Sequence, residues 1–351
     1  MASAETTTPT PLSASPSTTA AKPHTALSSS HHQLAAKFLF AGMSNMIGSF
    51  VTNPVDIVKV RLQLQGEGVR NAANQNFARL ALTMFKNEGS LSFYNGVTAS
   101  MLREATYSTI RLGAYDWFKS LVFRVSGGLL DEKALITKIT AGLASGMTGA
   151  AIANPTDLVK VRMQAYNPSP TPRYRSVFSA FPDIYRTEGL SGLYRGVGPT
   201  MIRAALVTAS QLATYDHAKH WLIGQGIREG LPAHFASSVI AGLACSITSA
   251  PVDTIKVRYM NQPFDAVTGR GLVYTSSFDC LRKTIMLEGP LALYKGFFMC
   301  WLRLGPQTIV SLIIFEQLRR ISGINPSLPV VDLTSSWFCE ITKKGTLGGL
   351  V

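Results

Sequence analysis

The sequence predicts an all-α membrane protein. Six transmembrane helices, in three tandem pseudo-threefold repeats, would surround a central cavity, with short surface helices between them. Three observations carry this prediction. First, one motif recurs at a spacing of about a hundred residues: PVDIVKVR from Pro54, PTDLVKVR from Pro155 and PVDTIKVR from Pro251. Second, each copy ends an uncharged stretch of 18 residues, at 38–55, 139–156 and 235–252, which is the threshold length for a membrane span. Third, charged residues make up only 15% of the chain and hydrophobic residues 46%, with mean hydropathy +0.17. A soluble domain carries about 25% charge.

The repetition extends well beyond the motif. Glu88-Gly89, Glu188-Gly189 and Glu288-Gly289 are in register, as are Tyr94, Tyr194 and Tyr294, each two residues before Gly96, Gly196 or Gly296. Arg103, Arg203 and Arg303 follow at the same offset. Internal repetition sets architecture, and a period this far above the usual 20–50 residues implies units of more than one long helix. The resulting division is an N-terminal arm at 1–33, repeats at 34–125, 126–225 and 226–322, and an extension at 323–351. The arm is rich in Ser, Thr, Ala and Pro, a disordered composition that holds His31 and His32. It lacks both an apolar core and arginine, so no cleaved presequence is expected.

Within each repeat the first helix runs through the motif to Gln63, Gln164 or Met260. A short surface helix follows, as at 77–87 and 178–187. The second long helix starts after the Tyr-x-Gly, at 97–124, 197–224 and 297–321. Two spans per repeat keep all repeats in one orientation, related by an axis along the membrane normal. Charges recur at matching depths in the second helices, where an intramembrane charge faces a bundle interior or a wet cavity.

The net charge is +13, which with apolar composition points to anionic lipid or anionic cargo. Nucleic acid is disfavoured, because no Lys/Arg block or binding motif is present. Cys245, Cys280, Cys300 and Cys339 form no CxxC pair, and no metal spacing is visible. No paired carboxylates or Ser/His/Asp set converges outside the repeated charges, so an enzyme is not expected. A soluble helical scaffold is the remaining alternative; it predicts a chain soluble without detergent.

The repeated residues resemble the mitochondrial carrier family over about 34–322. The family pattern is proline-x-acid-x-x-base-x-base, then acid-Gly and aromatic-x-Gly, and all three copies match it. The resemblance implies the mitochondrial inner membrane, a monomer and alternating access between two gates. Pro54, Pro155 and Pro251 would kink the first helices. Asp56, Asp157 and Asp253 would pair with Lys160, Lys256 and Lys59 as a matrix gate. Gln63 and Gln164 would brace that gate, whereas Met260 departs from the pattern and leaves two braces. Tyr115, Asp116 and Lys119, Tyr215, Asp216 and Lys219, and Phe315, Glu316 and Arg319 would form the cytoplasmic gate. Gly96, Gly196 and Gly296 open helices where the family binds cardiolipin, through free amides and a positive helix end.

Three arginines in one cavity demand anions, and bidentate carboxylate recognition suits them. Glu104 is the one nearby acid in sequence, and it should project about 100° away from Arg103. A small dianion is therefore the expected cargo. Tyr107 and Arg111, with the run from Leu102 to Thr109, resemble the dicarboxylate, oxoglutarate and uncoupling branch. Glu104 stands where glutamine is usual there, and Gln211 where uncoupling proteins tend to carry an acid. The expected function is exchange of malate, oxoglutarate or succinate, or of phosphate or sulfate. The alternative is a proton leak regulated by fatty acid or nucleotide.

Overall fold

A computed structural model describes residues 24–67, 76–126, 135–165, 174, 176–226, 231–263 and 271–322. The proposed extension at 323–351, and Cys339 with it, lies outside the described residues, as does the arm before residue 24. The described secondary structure is helical apart from turns, bends and one isolated bridge residue. The long helices are α1 (His24–Leu64), α3 (Val97–Val125), α4 (Leu135–Ile152) with α5 (Asn154–Gln164), α7 (Val197–Gly224), α8 (Leu231–Asn261) and α10 (Phe297–Ile321). The short ones are α2 (Phe77–Glu88), α6 (Val177–Leu193) and α9 (Ser277–Glu288).

α1 begins ten residues before the expected repeat boundary at 34. From His24 to Ala41 the chain has no glycine or proline, so nothing local stops a helix there. Residues 24–33, including His31 and His32, are thus helical rather than part of a disordered arm. The motif prolines take two forms. Pro54 and Pro251 lie inside α1 and α8, whereas the second repeat divides into α4 and α5, with Pro155 in the first turn of α5. Pro155 lacks an N–H, and an early helical position does not require one.

The long helices close into a ring. α1 packs on α3, α3 on α4, α4 on α7, α7 on α8, and α8 and α1 on α10. At the motif end α1, α5 and α8 also touch one another across the ring. The apolar clusters lie at this end. Val60, Ala99, Leu158, Val177, Ile184 and Val257 form one, and Ile57, Val58, Leu62, Met84 and Met299 another. They seat the short helices on the long ones. Ser176 and Ser276 cap α6 and α9 by accepting from the N–H of Ser179 and Asp279. α6 continues past its expected end at 187, but Gly189 breaks it with φ 70° and ψ −169°.

A repeated hydrogen bond ties each long helix to the turn after its surface helix. The Asn53 amide donates to the Phe93 carbonyl at 2.9 Å, and the Asn154 amide to the Leu193 carbonyl at 3.1 Å. The third repeat has Ala250 where Asn would stand. There the Thr254 hydroxyl, one turn further on, donates to the Leu293 carbonyl at 2.9 Å.

Large apolar side chains are exposed on the outer surface, among them Leu39, Phe50, Ile136, Ile152, Ile202, Ile247, Ile309 and Ile313. Charge is buried inside, the reverse of a soluble protein. By length and composition alone, 236–261 and 290–321 are apolar enough to cross a membrane. In the other long segments Ser, Thr, Asn and charged residues lower the hydropathy. That is the composition of helices with one wet face.

Candidate functional site

Asp56, Asp157 and Asp253 sit three residues before Lys59, Lys160 and Lys256, about one helical turn, at the converging ends of α1, α5 and α8. At that spacing acid and base share a helix flank. Convergence then turns each lysine to the neighbouring repeat. Lys160 Nζ lies 2.8 Å from Asp56 Oδ2, Lys59 Nζ lies 2.8 Å from Asp253 Oδ2, and Lys256 pairs with Asp157. These are the three pairings the sequence implied, and all six residues are buried.

The arginines differ from expectation. Arg303 Nη1 donates to both oxygens of Asp56, at 2.9 and 3.0 Å, and Arg203 pairs with Asp253. Arg103 pairs with Glu104, and its Nε stands 3.5 Å from Asp157 Oδ1. Two sequence arguments are corrected here. Glu104 reaches Arg103 despite the angle between adjacent residues, because a long guanidinium side chain folds back along the helix surface. The second-helix arginines also lie against the motif ring rather than apart from it. Each motif aspartate therefore holds a lysine from one neighbouring repeat and an arginine from the other. The six bases and three aspartates, with Gln63, line a cavity of about 60 Å³.

Tyr107 stands between two cations, its ring centroid 5.1 Å from the Arg103 guanidinium carbon and 5.9 Å from that of Arg111. A ring face attracts cations at these distances. Gln211 is exposed on α7. It occupies the position in its repeat that Arg111 holds in the first.

The braces also differ. Gln164 Nε2 donates to Asn53 Oδ1 and Ser100 Oγ, both at 3.1 Å, and not to a gate pair. Gln63 Oε1 is buried with no hydrogen-bond partner among the described residues. What the three positions share is packing. Gln164, Met260 and Gln63 fill the space in front of Gly96, Gly196 and Gly296. These glycines have φ of 71°, 81° and 79° and cap α3, α7 and α10. A Cβ on Gly196 would stand 2.9 Å from Met260 Cγ. Met260 is thus an apolar plug in a place where the other repeats put an amide.

Sequence reasoning saw the motif arginines and the Glu-Gly pairs but did not join them. Arg61, Arg162 and Arg258 each grip Glu88, Glu188 or Glu288 of the same repeat with two nitrogens. Their Nε atoms donate across to the carbonyls of Gln164, Met260 and Gln63, at 3.4, 3.1 and 2.9 Å. The recurrence of both motifs in all three repeats was the available signal. Bidentate arginine–carboxylate geometry makes this a stiff clamp. Burial raises the affinity of Glu288 for its proton, but hydrogen bonds from Arg258 and Lys295 outweigh that and hold its carboxyl below the usual range. Glu67, just past α1, has one buried oxygen without a partner. Burial pushes its carboxyl up to about 7, against the pull of Arg258.

At the far end the acid–base sets are arranged differently. Asp116 is exposed, Asp216 is half-buried, and Glu316 pairs along its own helix with Arg320 at 2.8 Å. Arg320 was not among the residues expected there. Tyr215 and Phe315 are buried beside these acids, and Tyr115 is half-buried.

Near the start of α7 a second cavity, of about 330 Å³, is lined by Arg195, Gly196, Gly198, Pro199, Tyr194, Tyr259 and Ser277. The described residues bring together no group of three or more His, Cys, Asp or Glu side chains suited to a metal. Cys245, Cys280 and Cys300 are free and buried.

A ring of six long helical segments, apolar outside and charged inside, defines a solute transporter rather than an enzyme. The comparisons name its family. The description "Mitochondrial carrier protein" matches residues 30–126, 131–226 and 228–325, one match per repeat. The chain belongs to the mitochondrial carrier family. It is 48% identical to the "Mitochondrial substrate carrier family protein ucpB" of Dictyostelium discoideum, over 85% of this chain and 99% of that protein. It is 39% identical to a "Probable mitochondrial 2-oxoglutarate/malate carrier protein" of the same organism, over 80% of this chain and 88% of that one. It is also 39% identical to "Mitochondrial uncoupling protein 3" of Arabidopsis thaliana, over 82% and 95%.

Proposed function

We propose that the chain exchanges small divalent anions across the mitochondrial inner membrane as a monomer. The cargo would be dicarboxylates such as malate, oxoglutarate or succinate, or the oxyanions phosphate and sulfate. The observation that carries this reading is the floor of the cavity, where Arg103, Arg203 and Arg303 meet in one small space beside Tyr107. Every one of these arginines now holds a carboxylate of the protein. A dicarboxylate offers the same group twice, so cargo replaces pairs already present. Each aspartate that gives up an arginine keeps its lysine.

In this reading the motif ring is the matrix gate, closed here, and the far end is the cytoplasmic gate. Cargo loosens the floor by competing for the arginines, and the ring then opens while the far end closes. The cavity at the start of α7 supports a bound cardiolipin: the α7 amides, Arg195 and Ser277 suit a phosphate headgroup.

Uptake into liposomes preloaded with a panel of anions tests this. Exchange of malate, oxoglutarate or sulfate is expected. Exchange confined to nucleotides or cationic amino acids overturns it. The likeness to uncoupling protein 3 favours a second reading, a regulated proton leak. That reading predicts fatty-acid-dependent proton entry with no anion exchange.

A further inference from the structure

Glu104 breaks the threefold symmetry of the cavity floor. The equivalent residues beside Arg203 and Arg303 are Ala204 and Leu304. Glu104 is buried at 6% exposure, and among the described residues its ion pair is with Arg103 alone. Arg103 is held to its gate aspartate only loosely, at 3.5 Å, whereas Arg303 contacts both oxygens of Asp56 within 3.0 Å. Glu104 draws Arg103 partly off the ring.

The charged groups facing Glu104 are Arg103 on its own helix, Lys160 on α5, and Arg303 on α10, with Asp56 on α1 opposing them. Lys160 and Arg303 are already committed to Asp56. When cargo takes Arg103, the gate aspartate Asp157 therefore keeps Lys256, but Glu104 keeps no partner of its own. A buried carboxylate without its cation costs several kcal/mol and neutralises by taking up a proton instead.

We propose that Glu104 is the proton-coupling residue of this carrier. It occupies the Arg103 guanidinium while the cavity is empty and yields it to one carboxylate or oxyanion of the cargo. It accepts a proton from cavity water as it does so, and returns that proton to water on the other side when the cargo leaves. This rests on the anion-exchange reading above, and it adds that one proton accompanies the anion bound at Arg103.

The full chain in liposomes with a trapped pH dye tests it, with malate, phosphate and sulfate as probes. Each leg of a one-for-one exchange carries a proton, so net proton entry is read in liposomes holding no internal anion. There anion entry on the unaltered protein should carry protons inward, and the initial rate of uptake or exchange should rise by up to about tenfold per unit of acidification, the limit for one proton bound. Glu104→Gln mimics the protonated form, so its uptake should lose proton entry and become flat with pH while its apparent KM falls. Anion exchange whose rate is flat with pH on the unaltered chain, or net uptake without proton entry, overturns the inference and leaves the exchange reading standing. So does proton entry that persists in a folded Glu104→Gln. A chain that moves none of these anions overturns both. A melting curve accompanies the variant, and the pH dependence of the unaltered chain carries the test by itself.

Discussion

The two ends of the helix ring carry the same kinds of residue and arrange them in opposite ways. At the motif end Asp56, Asp157, Asp253, Lys59, Lys160 and Lys256 are all buried and each reaches another repeat. At the far end Asp116 is exposed, and Glu316 pairs within its own helix. Close-packed glycine separates them. At the motif end Gly96, Gly196 and Gly296 receive Gln164, Met260 and Gln63 of the neighbouring repeat. The far end carries its acid–base sets on α3, α7 and α10, the last with Pro306 inside it. Convergence, rather than charge content, decides which ring is sealed in the structure.

The sharpest way to break this contrast is to remove one acid at each end. Asp253→Asn strands Lys59 and Arg203 in a buried site, which should cost about 3–5 kcal/mol. Asp116→Asn should cost less than about 1 kcal/mol, as exposed ion pairs do. Melting curves in detergent compare them, and equal losses would mean the far end is as tightly closed as the motif end. Next in size, Arg203→Ala should lower anion exchange about 10- to 100-fold, the loss of one or two hydrogen bonds to a charged group. The fold should survive it, because Asp253 keeps Lys59; unchanged transport would remove the arginines from the cargo site.

A smaller effect separates glycines at the two ends. Gly196→Ala meets both a φ of 81° and Met260, and should cost roughly 1–3 kcal/mol, recovered in part by Met260→Ala. Gly113, further along α3, has open space around it. Gly113→Ala should be neutral or stabilise by about 0.4–1 kcal/mol. A further effect is on pH. The folded state holds the Glu67 proton up to about 7, whereas an ordinary glutamate releases it near 4.5. Stability should therefore fall as pH rises through that window, by roughly 1–3 kcal/mol, and level off above it. Glu67→Gln should flatten this part of a melting-temperature profile.

Much of this was legible in the sequence because the repeats confirm one another. The start and end of α3, α7 and α10 follow from Tyr-x-Gly and from the end of the apolar pattern, within a residue. The lysine–aspartate pairings follow from the family resemblance. The errors came from treating residues as local. Glu104 was judged by its angle on one helix, although side-chain length decides its reach. The arginines were read only as cargo ligands, although each also pairs with a carboxylate of the protein. Gln63 and Gln164 were read for their amides, whereas their packing against glycine is what all three repeats share, Met260 included. The arginine–glutamate clamps were missed because their halves lie 26–30 residues apart with a surface helix between.

Each motif aspartate takes one cation from each of the other two repeats, so Asp56 is complete only when Lys160 and Arg303 are both present. This makes assembly a matter of chain order. A nascent chain that has delivered one repeat carries Asp56 and Lys59 with neither partner made. Delivery of the second repeat supplies Lys160 but leaves Lys59 waiting for Asp253. The ribosome must finish nearly the whole chain before the ring balances. A polypeptide stopped early exposes buried-type charge to lipid, a defect that membrane quality control can detect.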